Sequence, residues 1–275
     1  MLVRILSAAV LLPLFLAVIY LCPLWAAGIL LCLLCALSAY ELLYATGITK
    51  NRYLVGVAVL FAAATPWWGY FGYDLTALIG GVGLLLFCLF AYGVFAHERG
   101  KSFAPAGADA LLCAAFAAFV FPFCFSLLLP LLSEESGKLL FPIPFLASWM
   151  SDACAYFGGR AFGRHKLAPT VSPKKTVEGA VCGMVGACAF LALYGWIMTA
   201  AFSREVNFAA LLVFAFIGAA VGQIGDLSLS LLKRMHGIKD YGNLVPGHGG
   251  VLDRFDSVLF ILPLFYVMQT LFTIL

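Results

Sequence analysis

Long runs of apolar residues, separated by short segments rich in Pro, Gly and charged residues, make up most of the sequence. A helix needs about 20 mostly apolar residues to cross roughly 30 Å of hydrocarbon. The runs are continuous, whereas the strands of a membrane barrel alternate apolar and polar positions. The pattern predicts nine membrane-spanning helices, at residues 5–22, 24–45, 53–71, 75–95, 108–132, 140–159, 177–201, 207–232 and 251–273.

The composition supports this interpretation. Of the 275 residues, 64% are hydrophobic and 11% charged, and the mean hydropathy is +1.05. An average soluble domain is about half apolar and about a quarter charged, so a water-soluble globule is excluded. The connections are too short for a separate extramembrane domain of roughly 50 residues. The predicted fold class is therefore an all-α, polytopic membrane protein whose chemistry lies on helix ends and loops.

The basic residues predict the orientation of the helices. With nine spans and a cytoplasmic N-terminus, 14 of the 16 Lys and Arg residues fall on the cytoplasmic side, and only Lys138 and Arg204 fall outside. This asymmetry follows the positive-inside rule. The first apolar run is interpreted as an uncleaved span, since a second run follows at once and no Ala-x-Ala cleavage pattern follows the first. The net charge of +3, without a long basic run, does not favour binding to nucleic acid.

The two halves of the chain differ in the placement of their acidic residues. Residues 1–135 are predicted to be a scaffold of N-terminal helices, in which Glu41 and Asp109 lie near cytoplasmic helix ends and reach water. Residues 136–275 are predicted to be the catalytic half, because their acidic residues concentrate in or beside the cytoplasmic loops of the last four helices. The nine cysteines lie in apolar stretches and are interpreted as small packing residues.

The first polar segment of the second half lies on a predicted helix. Ser148, Asp152 and Tyr156 recur every four residues and therefore line one helix face. Asp152 lies roughly 12 Å from the helix end, where a carboxylate needs a polar cavity, a cation or a partner. The alternative is a purely structural pair between this aspartate and a serine or arginine.

The next polar segment, Ser172 to Gly179, leads into a helix. Thr176 is the predicted N-cap, and Glu178 lies in the first turn, where a carboxylate interacts favourably with the helix dipole. Lys174 and Lys175 would offer a phosphate two ammonium groups beside free backbone amides. The alternative is an ordinary basic loop in contact with anionic lipid.

A predicted helix near the end of the chain has a charged face. Asp226, Ser230 and Lys233 occur at i, i+4 and i+7 and line one side of it, which runs out to the cytoplasmic surface. Arg234 follows directly. These groups combine a carboxylate with cations suited to phosphates.

The last predicted helix begins with a second acidic pair. Asp253 and Asp256 are three residues apart, so both can face one ion. Residues 239–250, just before them, are too rich in Gly and Pro for a helix and predict a tight polar loop, in which His248 is a hydrogen-bonding or phosphate-binding group. Hard oxygen ligands favour Mg²⁺ over zinc. The alternative is a set of salt bridges with Arg234, Lys239 and Arg254.

Three motifs, in the same order, resemble those of phosphatidate cytidylyltransferases, also called CDP-diacylglycerol synthases. They are SDxxAYxxGR at 151–160, SPKKTxEG at 172–179, and SLLKR, four residues, KD, five residues and PGHGGVLDRFD at 230–256. The resemblance covers residues 148–256, while residues 1–135 match only as a run of spans. It departs from the usual pattern at Val245 and Val177, and neither position is polar.

The resemblance implies a reaction in which phosphatidate and CTP form CDP-diacylglycerol and pyrophosphate. It also implies Mg²⁺ as one or two ions, with a monovalent cation as a further candidate. The implied partners are CTP, phosphatidate, the lipid bilayer and a second copy of the chain in a homodimer. The short chain and the orientation pattern favour a bacterial inner membrane.

The roles that the resemblance implies are assigned to matching positions of this sequence. The metal ligands are Asp226 and Asp253, with Asp256 in support. The catalytic set is Asp226, Asp253, Lys233, Arg234 and Ser230. The substrate-binding set is Lys174, Lys175, Ser172, Thr176, Glu178, Asp152, Lys239, Asp240, His248 and Arg254.

Two other functions fit some of these features. A CTP-dependent lipid or polyprenol kinase needs similar phosphate and metal groups. An ion-coupled transporter would use Asp152 and Asp226 to bind a translocated cation. A transporter usually places such acids near the midplane and often has two related halves, whereas here the acids cluster at one face of one half.

Overall fold

The computed structural model of the chain describes residues 2–72, 75–98, 107–244, 247 and 249–275. This part is all-α, as predicted, apart from one antiparallel hairpin of two short strands, β1 Lys166–Ala168 and β2 Ser172–Thr176. The helices are α1 Leu2–Leu21, α2 Leu24–Tyr40, α3 Arg52–Tyr70, α4 Leu75–Glu98, α5 Gly107–Ser126, α6 Leu128–Ser133, α7 Gly137–Leu140, α8 Pro142–Phe162, α9 Val177–Phe202, α10 Phe208–Met235 and α11 Leu252–Phe272.

The predicted spans are helical over nearly all of their described residues. Within the ranges that the structure covers, six helices are long and apolar enough to cross a membrane, which agrees with a multi-pass membrane protein. They are Leu24–Ala45, Arg52–Tyr70, Leu111–Ser133, Val177–Phe202, Phe208–Met235 and Leu252–Phe272. The total of nine spans and the cytoplasmic N-terminus stay predictions.

Helix α2 continues beyond Tyr40 as a π-helical turn, Glu41–Ala45. Such turns are rare and often occur at functional sites. Glu41 opens this turn and is only 4% exposed. The expectation that Glu41 reaches water is therefore wrong, because its carboxylate is turned towards backbone amides instead. The side chain of Asp109, of which the same was expected, lies outside the described residues.

The chain forms two compact units. The first comprises Met1–Ser133 and His236–Arg254, and the second comprises Glu134–Met235 and Phe255–Leu275. In the first unit α2, α3 and α5 pack together, and in the second α8, α9 and α10 do so. Helix α11 begins in the first unit and continues in the second. The division of roles between a scaffold and a catalytic half stays a prediction.

Small residues allow α8 and α9 to pack closely in the second unit. A Cβ atom at Gly158 would lie under 3.0 Å from the Cys182 side chain, and one at Gly186 equally close to Cys154. Cysteine fits these positions because it is small and apolar. All nine cysteines are free thiols, which agrees with the expectation that they form no disulfide frame, and Cys35 is buried whereas Cys22 is exposed. This contact places the β-hairpin and the first turn of α9 beside the end of α8.

We expect Gly158→Ala to lower the melting temperature of the purified protein in detergent, because the added methyl group overpacks the contact with Cys182 at a cost of about 1–3 kcal/mol. Gly80→Ala is the matched control, since a Cβ at this helical glycine meets nothing within 4 Å. Equal melting temperatures for the two variants would contradict the close packing of α8 on α9.

Candidate active site

The segment that carries the two lysines forms strand β2 and then enters α9. Thr176 caps this helix, since its Oγ1 accepts the backbone N–H of Gly179 at 3.1 Å. The predicted N-cap and the place of Glu178 in the first turn are confirmed. The prediction of a loop is wrong for Ser172–Thr176, because this stretch pairs with Lys166–Ala168 and so gives its backbone groups partners.

Glu178 fastens the end of α8 to the start of α9. Its carboxylate accepts the backbone N–H groups of Arg164 at 3.0 Å and of His165 at 3.2 Å, and it lies 2.6 Å from His165 Nδ1. The contact of His165 with Glu178 was not predicted from the sequence. No motif pointed to it, since the partner lies 13 residues away. These contacts of Glu178 are structural, and its contact with substrate stays a prediction.

An ion pair joins the hairpin to α10. Lys175 Nζ contacts Asp226 Oδ2, and the two side chains are 28% and 23% exposed. Ser230 Oγ donates a hydrogen bond to Asp226 Oδ1 at 3.3 Å. The predicted charged face of α10 is thereby confirmed for these two residues one turn apart. It meets a lysine from the separate polar segment at Ser172–Thr176.

Asp256 extends this set of charges within the second unit. Its side chain is 13% exposed, and its Oδ2 lies 4.0 Å from Nζ of Lys233. Asp226 and Asp152 lie near enough for their charges to repel that of Asp256. Asp256 thus interacts with both Asp226 and Lys233, and Asp226 in turn contacts Lys175.

The donor set fits a hard divalent cation. Asp226 and Asp256 provide carboxylate oxygens, and Ser230 provides a hydroxyl group. Throughout the described ranges, no group of three or more His, Cys, Asp or Glu side chains is arranged to hold a metal ion. Mg²⁺ is usually bound by one or two carboxylates together with substrate phosphates. The cluster therefore fits an ion whose remaining coordination positions are filled by a phosphate ligand.

Hydrogen bonds among polar side chains join α8 to α10 and α11 beside the cluster. Gln223, one turn before Asp226, donates from Nε2 to Ser151 Oγ and to the carbonyl oxygen of Ala180, each at 3.1 Å. Ser148 donates to Ser257 Oγ at 2.9 Å. Gln223 was not predicted from the sequence, because a single amide in an apolar helix does not form a recognisable motif.

The three residues of the predicted polar face of α8 differ in how deeply they are buried. Ser148 is buried, whereas Asp152 and Tyr156 are exposed, the tyrosine by 62%. Successive residues at i+4 drift around a helix by about 40°, because a turn takes 3.6 residues. This drift separates the buried first member of the series from the two that follow it.

The remaining predicted site residues, most of them basic, are mostly exposed. Lys174 is exposed on β2, and Ser172 at the start of that strand is half-buried. Arg234 is exposed at the end of α10, where its Nε donates to the carbonyl oxygen of Val171 at 3.3 Å. In the first unit the exposed candidates are Lys239, Asp240 and Arg254. The predicted site residue His248 lies outside the described residues.

Asp253 holds the loop between α10 and α11. It is 7% exposed, and its Oδ2 accepts the backbone N–H groups of Tyr241 at 2.8 Å and of Gly250 at 2.9 Å. The described residues of 239–250 form a loop as predicted, with Gly249 at φ +92°, where glycine is favoured. The loop is not wholly polar, since Tyr241 is completely buried. Metal binding by Asp253 stays a prediction.

Comparison with known proteins identifies the family. A model described as the cytidylyltransferase family matches residues 2–272. The chain belongs to the cytidylyltransferase family.

Several relatives are named phosphatidate cytidylyltransferase. The chain is 40% identical to that of Staphylococcus saprophyticus over 182 residues, 66% of this chain and 65% of the relative. It is 42% identical to that of Bacillus subtilis over 125 residues, 46% and 45% of the two chains. It is 39% identical to that of Haemophilus influenzae over 129 residues, 47% and 45%. The chain thus spans about half to just under two thirds of these relatives' length.

In this cytidylyltransferase-family chain, the predicted site residues fall into two groups. The second unit contains Asp152, Ser172, Lys174, Lys175, Thr176, Glu178, Asp226, Ser230, Lys233, Arg234 and Asp256. The first unit contains Lys239, Asp240, Asp253 and Arg254. Direct contacts join Lys175, Asp226 and Ser230. Asp253 contacts backbone amides of its own loop.

We expect Asp253→Ala to destabilise the protein strongly, because two buried N–H groups lose their acceptor at about 1–3 kcal/mol each. Asp253→Asn keeps a carbonyl acceptor and should lower the melting temperature less. Asp240→Ala is the control in the same loop, since its side chain is exposed and such changes usually stay within about 0.5 kcal/mol. A melting temperature of Asp253→Ala equal to that of Asp240→Ala would argue against the loop-holding role.

Proposed function

We propose that the chain is a phosphatidate cytidylyltransferase, which makes CDP-diacylglycerol and pyrophosphate from CTP and phosphatidate. Membership of the family and the names of the relatives support this reaction. The observation in this chain that carries the proposal is the cluster of Lys175, Asp226, Lys233 and Asp256 among apolar helices. Ionised groups in such helices are costly and typically mark sites that handle ions or charged substrates.

The proposed reaction brings two anions together, so the site must offset their repulsion. An oxygen of the phosphatidate phosphate forms a bond to the α-phosphorus of CTP, the bond to the β-phosphate oxygen breaks, and pyrophosphate leaves. The attacking phosphate is already ionised near neutral pH, so a general base is not required. Catalysis then depends on alignment and on cancellation of charge.

The basic residues of the second unit are the proposed phosphate ligands. Lys175 and Lys233 are held within the cluster, whereas Lys174 is exposed on the hairpin and Arg234 is exposed beside it. Ser230 orients one phosphate through its hydroxyl group. We propose that Asp226 and Asp256 hold Mg²⁺, which would supply further positive charge to the phosphates when bound. Asp253 as a third ligand, a second metal ion and a monovalent cation stay predictions.

The remaining predicted substrate contacts are part of the same proposal. They are Ser172, Thr176, Glu178, Asp152, Lys239, Asp240, His248 and Arg254. Thr176 and Glu178 also act structurally, because Thr176 caps α9 and Glu178 joins the end of α8 to the first turn of α9. We further propose a homodimer in a bacterial inner membrane with the N-terminus in the cytoplasm. The distribution of basic residues supports that orientation.

The test uses purified protein in detergent with phosphatidate, Mg²⁺ and CTP labelled either in cytidine or in the γ-phosphate. We expect the cytidine label to enter the lipid fraction together with release of pyrophosphate, and neither to occur without phosphatidate. Asp226→Asn should lower the rate at least a hundredfold, because it weakens the proposed metal site. Glu205→Gln, a change at an exposed acid distant in sequence from the motifs, should keep the wild-type rate.

Other labelling results would overturn the proposal. The γ-phosphate label in the lipid would show a CTP-dependent lipid kinase instead. Label in neither lipid nor pyrophosphate would exclude both transfer reactions. Full activity of Asp226→Asn would show that this carboxylate is not part of the site, although the reaction itself would still be established.

A further inference from the structure

A buried carboxylate of the first unit holds the loop that precedes α11. Glu41 Oε1 accepts the backbone N–H of Val251 at 3.0 Å, and Oε2 accepts that of Leu252 at 2.9 Å. The Glu41 residue is 4% exposed. A carboxylate so far from water is costly unless hydrogen bonds compensate it. Glu41 and its two donors are 210 and 211 positions apart, so the contact ties α2 to the start of α11.

Three consecutive amides at this helix start are shared between two carboxylates. The N–H of Gly250 binds Asp253, and those of Val251 and Leu252 bind Glu41. The first amides of a helix have no partner within it, and the positive end of the helix dipole favours negative charge. These donors offset the repulsion between the two neighbouring carboxylates. Glu41 thereby fixes the first turn of α11, which carries Asp253.

The loop closes tightly around the Glu41 carboxylate. A Cβ atom at Gly242 or at Gly250 would lie under 3.0 Å from an oxygen of Glu41. Tyr241, next to Gly242, is completely buried and donates its N–H to Asp253. Glycine is therefore required at two loop positions so that the backbone can approach the carboxylate. The loop is shaped around this acid as well as around Asp253.

We propose that Glu41 is a positioning residue for the active site. Its carboxylate holds the end of the loop at Val251 and the first turn of α11, and through them it sets the place of Asp253 and Arg254. Glu41 itself needs no contact with substrate. The proposal rests on the proposed function, because the positions of Asp253 and Arg254 matter to catalysis only if they belong to the site.

The bond geometry explains why a carboxylate is needed at this position. Two N–H donors each bind one oxygen of Glu41. In Glu41→Gln one oxygen becomes an NH₂ group, which is itself a donor and leaves one backbone N–H without an acceptor. Glu41→Asp keeps both acceptors but is one methylene shorter. The aspartate variant should therefore retain more of the function than the glutamine variant.

The experiment combines kinetics with amide hydrogen exchange on the full chain in detergent, at a temperature well below the melting temperature of each variant. We expect Glu41→Gln to lower kcat about tenfold or more, the factor that corresponds to loss of one hydrogen bond to a charged group. The KM for CTP should stay within about twofold, because the proposed phosphate ligands Lys175 and Lys233 are unchanged. Amides 250–252 should exchange at least about tenfold faster, and Glu41→Asp should be intermediate in both measurements.

Ser38→Ala is the matched control. Ser38 lies one turn earlier on α2, is buried, and its hydroxyl group has no hydrogen-bond partner among the described residues. It should leave both kcat and exchange unchanged.

Two results would overturn the positioning role. The first is faster exchange with wild-type kcat, which means that Glu41 only stabilises the fold. The second is lower kcat with unchanged exchange, which means that the effect does not pass through the loop. If the wild-type chain transfers no cytidylyl group, the proposed function fails, whereas the exchange data alone still decide whether Glu41 holds the loop.

Discussion

A carboxylate surrounded by apolar helices must be hydrogen-bonded or neutralised, and this requirement governs the polar interior of both units. In the first unit, Glu41 and Asp253 meet it with backbone amides at the start of α11. In the second unit, Asp226 meets it with Lys175, and Asp256 lies 4.0 Å from Lys233. The two solutions have different consequences for chemistry.

The Glu41 carboxylate is committed to the fold, because both of its oxygens accept backbone N–H groups at the start of α11, which would rearrange if these bonds were broken. A carboxylate paired with a flexible lysine side chain can exchange that partner for a metal ion while the lysine binds a phosphate. Lys175 and Asp226 are each about a quarter exposed, so ligands can reach them. This difference is why the proposed chemistry is assigned to the lysine-paired acids, while Glu41 is assigned a positioning role.

Local patterns predicted much of the structure. The apolar runs gave the helices, the i, i+4 spacing placed Ser230 beside Asp226, and the sequence around Thr176 gave a helix cap. Contacts between distant segments were not predictable in this way. Glu41 meets its amides across 210 residues and from a π-helical turn that hydropathy does not reveal. Strand β2 was predicted as a loop, because its extended conformation depends on pairing with β1, which the local sequence does not show.

We propose that the cluster around Asp226 holds the metal ion and the phosphates of the nucleotide. An experimental structure with Mn²⁺ and a non-hydrolysable CTP analogue, with the metal located by anomalous scattering, tests it most directly. We expect an anomalous peak in coordination contact with Asp226, and Lys175 Nζ moved from this carboxylate to a phosphate oxygen. An intact ion pair between Lys175 and Asp226, with metal and nucleotide bound elsewhere, would contradict it.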